Sequence, residues 1–280
     1  MSIARINGVS INYEVHGDDG PWVALSPGGR RALDEIRSLA MRVAATGYRV
    51  LIHDRRNCGA SEVSIEGEGA EHEIWAADLH ELLKTLDALP AFIGGSSSGC
   101  RLSIEFALRY QADVRGLLLW RVTAGHFAVK RLTEKYYGEY IRAAEKGGMK
   151  AVSDTEHFRE LIAARPDNRD TLLHMDPKRF IEVMTTWDRQ FRTGADQPVI
   201  GASEDDLRWI TVPVCVVPGN DKTHPRSAAE ALARLVPNAA LHELMGDDLP
   251  VDADAPENWD AKESALAEIL SGALGRMSRQ

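Results

Sequence analysis

The stretch Ile93-Gly94-Gly95-Ser96-Ser97-Ser98-Gly99 decides how this chain is read. It follows the apolar run Ala91-Phe92-Ile93, which reads as a strand, and precedes residues 99–110, which read as a helix. Inside it lies Gly95-x-Ser97-x-Gly99. A serine on a sharp strand-to-helix turn takes a strained backbone, so its neighbours must be small. Its hydroxyl then stands clear of the sheet beside the positive end of the next helix. The plain alternative is a Gly/Ser turn or a phosphate-cradling loop. The latter would want the lysine of a P-loop or a Gly-x-Gly-x-x-Gly spacing, and neither is there.

Outward from this turn, strand and helix signals alternate. Ser10–Val15 alternates polar and apolar residues, and Trp22–Leu25 and Val50–Ile52 are short apolar runs. Residues 34–46 carry Ile36, Leu39, Ala40 and Val43 at helical spacing, with Gly47 as a stop. Residues 72–87 carry Leu79, Leu82, Leu83 and Leu86 in the same way, and Val114–Trp120 is another apolar strand. Apolar strands separated by helices imply a mainly parallel sheet covered on both faces. The rhythm breaks near Gly125. Residues 126–208 show helical patterns and no convincing strand, with aromatic residues such as Tyr136, Tyr137, Tyr140, Phe180 and Trp187 grouped along them. It resumes with a strand at 212–217, a helix at 226–235, a strand at 240–244 and a closing helix at 260–276. The expected organisation is an α/β core of residues 1–125 and 209–280, interrupted by a helical insertion of residues 126–208.

Composition narrows the function classes. The 280 residues are 44% hydrophobic and 27% charged, with 33 basic and 42 acidic residues and a net charge of −9. Scattered basic residues and an acidic balance speak against nucleic acid or an anionic membrane as partner. No apolar run approaches the ~20 residues of a membrane helix, and the N-terminus lacks the apolar stretch of a signal peptide. The expected location is the cytoplasm. Three widely spaced cysteines, Cys58, Cys100 and Cys215, suit a reducing compartment and no disulfide framework. Metal-ligand spacings such as His-x-x-x-His or Cys-x-x-Cys do not occur.

These features resemble the α/β-hydrolase superfamily, in its capped form, over nearly the whole chain. Gly95-x-Ser97-x-Gly99 resembles its nucleophile elbow. Asp54-Arg55-Arg56-Asn57-Cys58-Gly59-Ala60-Ser61 resembles the Asp-x-Arg-Gly-x-Gly-x-Ser loop, with Asn57 where glycine is usual. Pro218-Gly219-Asn220-Asp221-Lys222-Thr223-His224-Pro225 resembles the loop that carries the acid. The resemblance implies an α/β-hydrolase fold with a helical cap over residues 126–208. It implies Ser97 as nucleophile or proton shuttle and Asp221 as triad acid. It further implies an oxyanion hole made by the N–H groups of Ser98 and of Gly28, or of Gly29 beside it.

One part of the pattern is missing. The family keeps its catalytic histidine in the loop after the last strand, and no histidine follows His242 in this chain. Three readings stay open. Another histidine supplies the imidazole, with His224 preferred because it sits three residues after Asp221, ahead of His126 and His242. Alternatively, a carboxylate of the cluster Asp247, Asp248, Asp252 and Asp254 acts as a base with raised pKa, although such a cluster also reads as a solvated loop. In the third reading the site does not work through an acyl-enzyme, since this fold also hosts lyases, decarboxylases and receptors.

The expected function is cleavage of a small organic carbonyl compound at an ester, amide or activated C–C bond, by a rearranged triad of Ser97, Asp221 and His224. The alternatives are a cofactor-independent lyase or decarboxylase, and a non-catalytic ligand-binding protein. Arg121, His126, Tyr137 and Trp187 are the candidate substrate contacts. Arg121 would favour an anionic or enolate-bearing substrate or else pair with a carboxylate, and the aromatic residues could equally be helical core. A small-molecule substrate is expected as partner, with no cofactor and no metal. A homodimer is left open.

Overall fold

The computed structural model describes residues 2–246 and 259–279. Eight strands form one sheet: β1 (Ser2–Ile6), β2 (Val9–His16), β3 (Trp22–Ser26), β4 (Arg49–His53), β5 (Ala91–Ser96), β6 (Val114–Trp120), β7 (Val214–Val217) and β8 (Ala239–Leu241). They lie in the order β1-β2-β4-β3-β5-β6-β7-β8. The pairs β1–β2 and β2–β4 are antiparallel and all others parallel. The fold class read from the sequence is therefore the one observed.

Successive strand residues point to opposite faces, and the core divides accordingly. Ala24, Leu51, Ile93, Leu117 and Val216 pack beneath α2 (Glu71–Thr85), α3 (Ser98–Arg109) and α10 (Arg226–Leu235). Their neighbours Leu25, Ile52, Phe92, Leu118 and Val217 pack beneath α1 (Arg37–Ala44) and α11 (Glu263–Met277). With both faces covered, these strands have no polar side, which is why they read as plain apolar runs. Each such side chain contributes about 1.5–3 kcal/mol on burial.

Four sequence expectations shift. The sheet begins earlier than Ser10, because β1 turns into β2 through Asn7-Gly8, both at positive φ (45° and 80°), with Ile6 opposite Val9. That is the two-residue hairpin geometry Asn-Gly favours. The last strand is Ala239–Leu241 rather than 240–244, and β7 is Val214–Val217 rather than 212–217. The helix expected at 34–46 is a 3-10 turn, Leu33–Ile36, followed by α1.

Between β6 and β7 the chain runs through α4 (Gly125–Thr133), a π-helical turn (Glu134–Gly138), α5 (Glu139–Ser153), α6 (Glu156–Ala164), α7 (Asn168–His174), α8 (Pro177–Arg192) and α9 (Glu204–Trp209). Most of these helices share a separate apolar cluster that includes Leu132, Tyr140, Phe158, Phe180, Met184 and Phe191. Val63, Ile65 and Ile74 join it from the preceding chain and seat it on the sheet layer. Among the described residues, no helix is long and apolar enough to cross a membrane.

Candidate active site

β5 carries the chain to Ser97, and α3 starts at the next residue. Ser97 has φ 53° and ψ −108°, a conformation that costs a non-glycine residue about 1–3 kcal/mol. The turn fits only because its neighbours lack side chains. A Cβ on Gly95 would stand 2.6 Å from the Ser26 carbonyl oxygen, and one on Gly99 only 2.3 Å from it. The Ser97 N–H donates to the Trp120 carbonyl at 3.2 Å, tying the strained residue to β6.

The loop after β7 supplies both acid and imidazole. Asp221 Oδ1 accepts from the Thr223 N–H at 2.8 Å and the His224 N–H at 2.9 Å, so the carboxylate folds its own loop. Gly219 gives the returning chain room, since a Cβ there would lie 2.3 Å from the His224 carbonyl oxygen. The His224 ring then turns back. Its Nδ1 is 2.8 Å from Asp221 Oδ2, and its Nε2 is 2.9 Å from Ser97 Oγ. With Nδ1–H donating to the carboxylate, Nε2 is the lone-pair nitrogen that faces the serine hydroxyl. All three residues are buried. Burial alone would raise the Asp221 carboxyl, but the hydrogen bond and charge of His224, and then the charge of Arg121, hold it well below the usual carboxylate range. Ser97 Oγ also lies 3.2 Å from Thr123 Oγ1.

A cavity of about 60 Å3 opens beside Ser97, lined by Gly28, Arg121, Arg131, Lys135, Tyr136 and His224 among others. Arg31 and Glu35 connect it to a wider cavity of about 570 Å3. The loop after β3 forms one wall. Arg55, fully buried and 4.6 Å from the Trp75 ring centre, pins that loop by donating to the Gly28 carbonyl at 3.1 Å and the Gly29 carbonyl at 2.8 Å. The Gly28 N–H donates to Glu35 Oε2 at 3.1 Å, and Glu35 Oε1 accepts from Arg31 at 2.7 Å.

Of the residues singled out in the sequence, Ser97, Asp221 and His224 come together, and Gly28 and Ser98 flank them. Gly28 reaches the expected place, but its N–H is engaged by Glu35. Arg121 lines the cavity and also leans on the acid, 3.4 Å from Asp221 Oδ2 and 5.3 Å from the Trp259 ring centre. Three expected substrate contacts lie elsewhere. Tyr137 is buried and donates to Glu71 Oε2 at 3.0 Å, because Glu71 and Arg30 form a buried ion pair that needs its hydroxyl. Trp187 packs in the helical cluster and donates to the Gly69 carbonyl at 3.2 Å. His126 is 77% exposed and pairs with Asp196 at 2.8 Å, out in solvent. His242 makes its contact with Arg276, at 3.2 Å, and the aspartates 247, 248, 252 and 254 lie outside the described residues.

The sequence reading missed Thr123, Arg131, Glu35 and Arg55. Tyr136 lines the cavity. Adjacent tyrosines on a π-helical turn face different ways, and a 3.6-residue period cannot say which one meets the site.

Comparison with known proteins shows the family of the chain. The uncharacterized hydrolase YraK of Bacillus subtilis (strain 168) is 31% identical over 114 residues, which span 41% of this chain and 41% of that protein. The enol-lactonase from Burkholderia xenovorans LB400 superposes with a TM-score of 0.63 at 21% identity, covering 96% of this chain and 100% of that one. The thermophilic esterase from Thermogutta terrifontis superposes with a TM-score of 0.64 at 20% identity, covering 98% and 99%. The model of the Hydrolase_4 family, described as serine aminopeptidase, S33, matches residues 21–171, more than half of the chain. The chain belongs to this hydrolase family, within the α/β-hydrolase superfamily.

Proposed function

We propose that the protein hydrolyses small acyl compounds, esters and lactones foremost, through a triad of Ser97, His224 and Asp221 in which acid and base share one loop. The observation that carries the reading is the continuous chain of contacts from Asp221 Oδ2 through His224 to Ser97 Oγ, at 2.8 and 2.9 Å. Nucleophile, base and orienting acid at these distances are what nucleophilic acyl transfer requires.

In the proposed reaction Ser97 Oγ attacks the acyl carbon and its proton passes to His224 Nε2. Asp221 keeps the ring in the right tautomer and balances the imidazolium charge. The former carbonyl oxygen becomes an anion stabilised by the Ser98 N–H at the start of α3, with Gly28 as second donor once it is released from Glu35. Collapse expels the alcohol, which takes the proton from His224. Water then repeats the sequence on the acyl-enzyme and returns Ser97.

The cavity narrows the substrate. The space beside Ser97, about 60 Å3, is small, which favours a short acyl part. Arg31, Arg131 and Lys135 on its wall favour a substrate bearing a carboxylate near the scissile bond over a cationic one. We read residues 126–208 as a cap on a core of residues 1–125 and 209–280, with Tyr136 and Lys135 as its contribution to the pocket. That the superposed structures include an enol-lactonase and an esterase agrees with the bond class. The reading is tested with a fluorophosphonate probe and a series of p-nitrophenyl esters of increasing acyl length. Labelling at Ser97 and fastest turnover of acetyl or propionyl esters are expected. An unreactive Ser97, with no esterase activity, would sink the proposal in favour of a lyase or a binding protein.

A further inference from the structure

The Gly28 N–H cannot serve an oxyanion while it serves Glu35. This N–H belongs to a residue beside the elbow: a Cβ added to Gly28 would lie 3.6 Å from Ser97 Cβ. Glu35 reaches it from seven residues away, out of the 3-10 turn Leu33–Ile36, and places Oε2 at 3.1 Å along the N–H direction. The carboxylate and Ser97 line the same cavity. An N–H group has one hydrogen, so the position it offers to a developing oxyanion already holds a negatively charged oxygen.

Resting on the reading of Ser97 as nucleophile, we infer that Glu35 is a carboxylate gate on the oxyanion site, closed in this state and opened when the substrate's acyl oxygen displaces it. The surroundings suit such a movement. Glu35 Oε1 is held by Arg31 at 2.7 Å, and the Arg31 side chain is half exposed, so the pair can swing together without stranding either charge. Both residues also line the cavity of about 570 Å3, which gives the displaced carboxylate a place to go. Arg55 meanwhile holds the Gly28 and Gly29 carbonyls, in the two peptides that follow the donor, and so steadies the loop while the N–H changes its acceptor. The gate sets a selectivity: a substrate must offer an acyl oxygen that competes with a resident carboxylate, and weakly polarised carbonyls are excluded.

Two measurements test it on the full chain. The first is the rate at which a neutral fluorophosphonate labels Ser97 in wild type, Glu35→Ala and Glu35→Gln. The second is the shift of the Gly28 amide resonance when acetate is added to each. The gate predicts labelling at least tenfold faster in Glu35→Ala, a smaller gain in Glu35→Gln (which keeps a neutral acceptor of the same size), and an acetate-dependent Gly28 shift confined to Glu35→Ala. Should Glu35→Ala fail to fold, Glu35→Gln must still label faster than wild type. Labelling of Ser97 at an equal or lower rate in the variants overturns the gate and leaves Ser97 standing as nucleophile. If no protein is labelled, the nucleophile reading fails, and the titration decides alone: a shift only in Glu35→Ala upholds the gate, and its absence overturns it.

Discussion

His224 Nε2 lies 2.9 Å from Ser97 Oγ across 127 residues of sequence, while the carboxylate that orients the ring is only three residues away. Imidazole and carboxylate therefore move as one unit, fixed by the two N–H bonds that Asp221 accepts from its own loop. Removing either end of the serine–histidine pair should cost nearly everything. Ser97→Ala and His224→Ala are each expected to lower kcat by a factor of about 10⁴–10⁶, and the double variant by no more than the worse single one, because the two act together. Steady-state kinetics on a p-nitrophenyl ester reads this. A His224→Ala enzyme within tenfold of wild type would assign the base to another group.

Asp221→Asn keeps the size of the side chain but lets the amide favour the wrong tautomer of His224. A fall of about 10⁴ in kcat is expected with KM nearly unchanged. The pH profile carries a second sign. Because His224 and Arg121 hold the Asp221 carboxyl well below its usual range, it stays charged at all pH values above about 4. The acid limb of kcat/KM in the wild type should thus be a single ionisation, that of His224 losing its lone pair to a proton. A second ionisation on that limb would contradict the arrangement.

How much of this could be read from the sequence depends on how far apart the cooperating residues are. The elbow could be read because Gly95, Ser97 and Gly99 fall within five positions, although the carbonyl that demands both glycines, that of Ser26, comes from a distant strand. His224 could be proposed for the same reason, its partner being three residues away. The α/β alternation could be read because strands buried on both faces must be apolar throughout. What failed was direction. Tyr137 and Trp187 were expected at the pocket on helical spacing. One is drawn off by the buried Arg30–Glu71 pair, and the other donates to the Gly69 carbonyl. Glu35 gave no signal, since its meaning arises only when the 3-10 turn folds it back on Gly28. β1 was signalled by Asn7-Gly8 but lacks the apolar run that marks the other strands.

Arg55 is expected to act on the reaction without touching it. It donates to both the Gly28 and the Gly29 carbonyl, at 3.1 and 2.8 Å. Arg55→Met keeps the bulk against Trp75 but leaves the loop free to rotate its peptides. We expect kcat to fall about tenfold, the loss of roughly 1.4 kcal/mol of oxyanion stabilisation, with KM little changed. Circular dichroism should show the fold retained. An unchanged kcat would mean that the loop is held by its own turn, through the Arg31 N–H to Gly28 carbonyl bond.

Gly99→Ala should damage both stability and activity through a single clash. The new Cβ would stand 2.3 Å from the Ser26 carbonyl and 3.0 Å from that of Pro27, both backbone atoms that cannot step aside cheaply. Overpacking of this kind costs about 1–3 kcal/mol. Relief requires the loop after β3 to draw away from the elbow, which separates Gly28 from Ser97. A lower Tm together with slower fluorophosphonate labelling is expected. Loss of stability with undiminished labelling would show that the strain escapes elsewhere.

Acid should destabilise this protein through its buried histidines. Burial, and then the charges of Arg55 and Arg30 respectively, push His53 and His157 down to about 3, and burial with Arg101 pushes His72 well below its ordinary value. In the unfolded chain these rings titrate near about 6.5. The folded state therefore binds fewer protons between about pH 6.5 and pH 3. Stability is complete above that window and falls within it by about 1.4 kcal/mol per pH unit for each ring. Against the about 5–15 kcal/mol of a typical fold, such a slope is a large destabilisation. Among the described residues neither nitrogen of His53 has a hydrogen-bond partner, so His53→Leu removes a proton trap without breaking a bond. Urea unfolding should find His53→Leu more stable relative to wild type at pH 5 than at pH 8. An equal difference at the two pH values would mean that His53 can be protonated without leaving the fold.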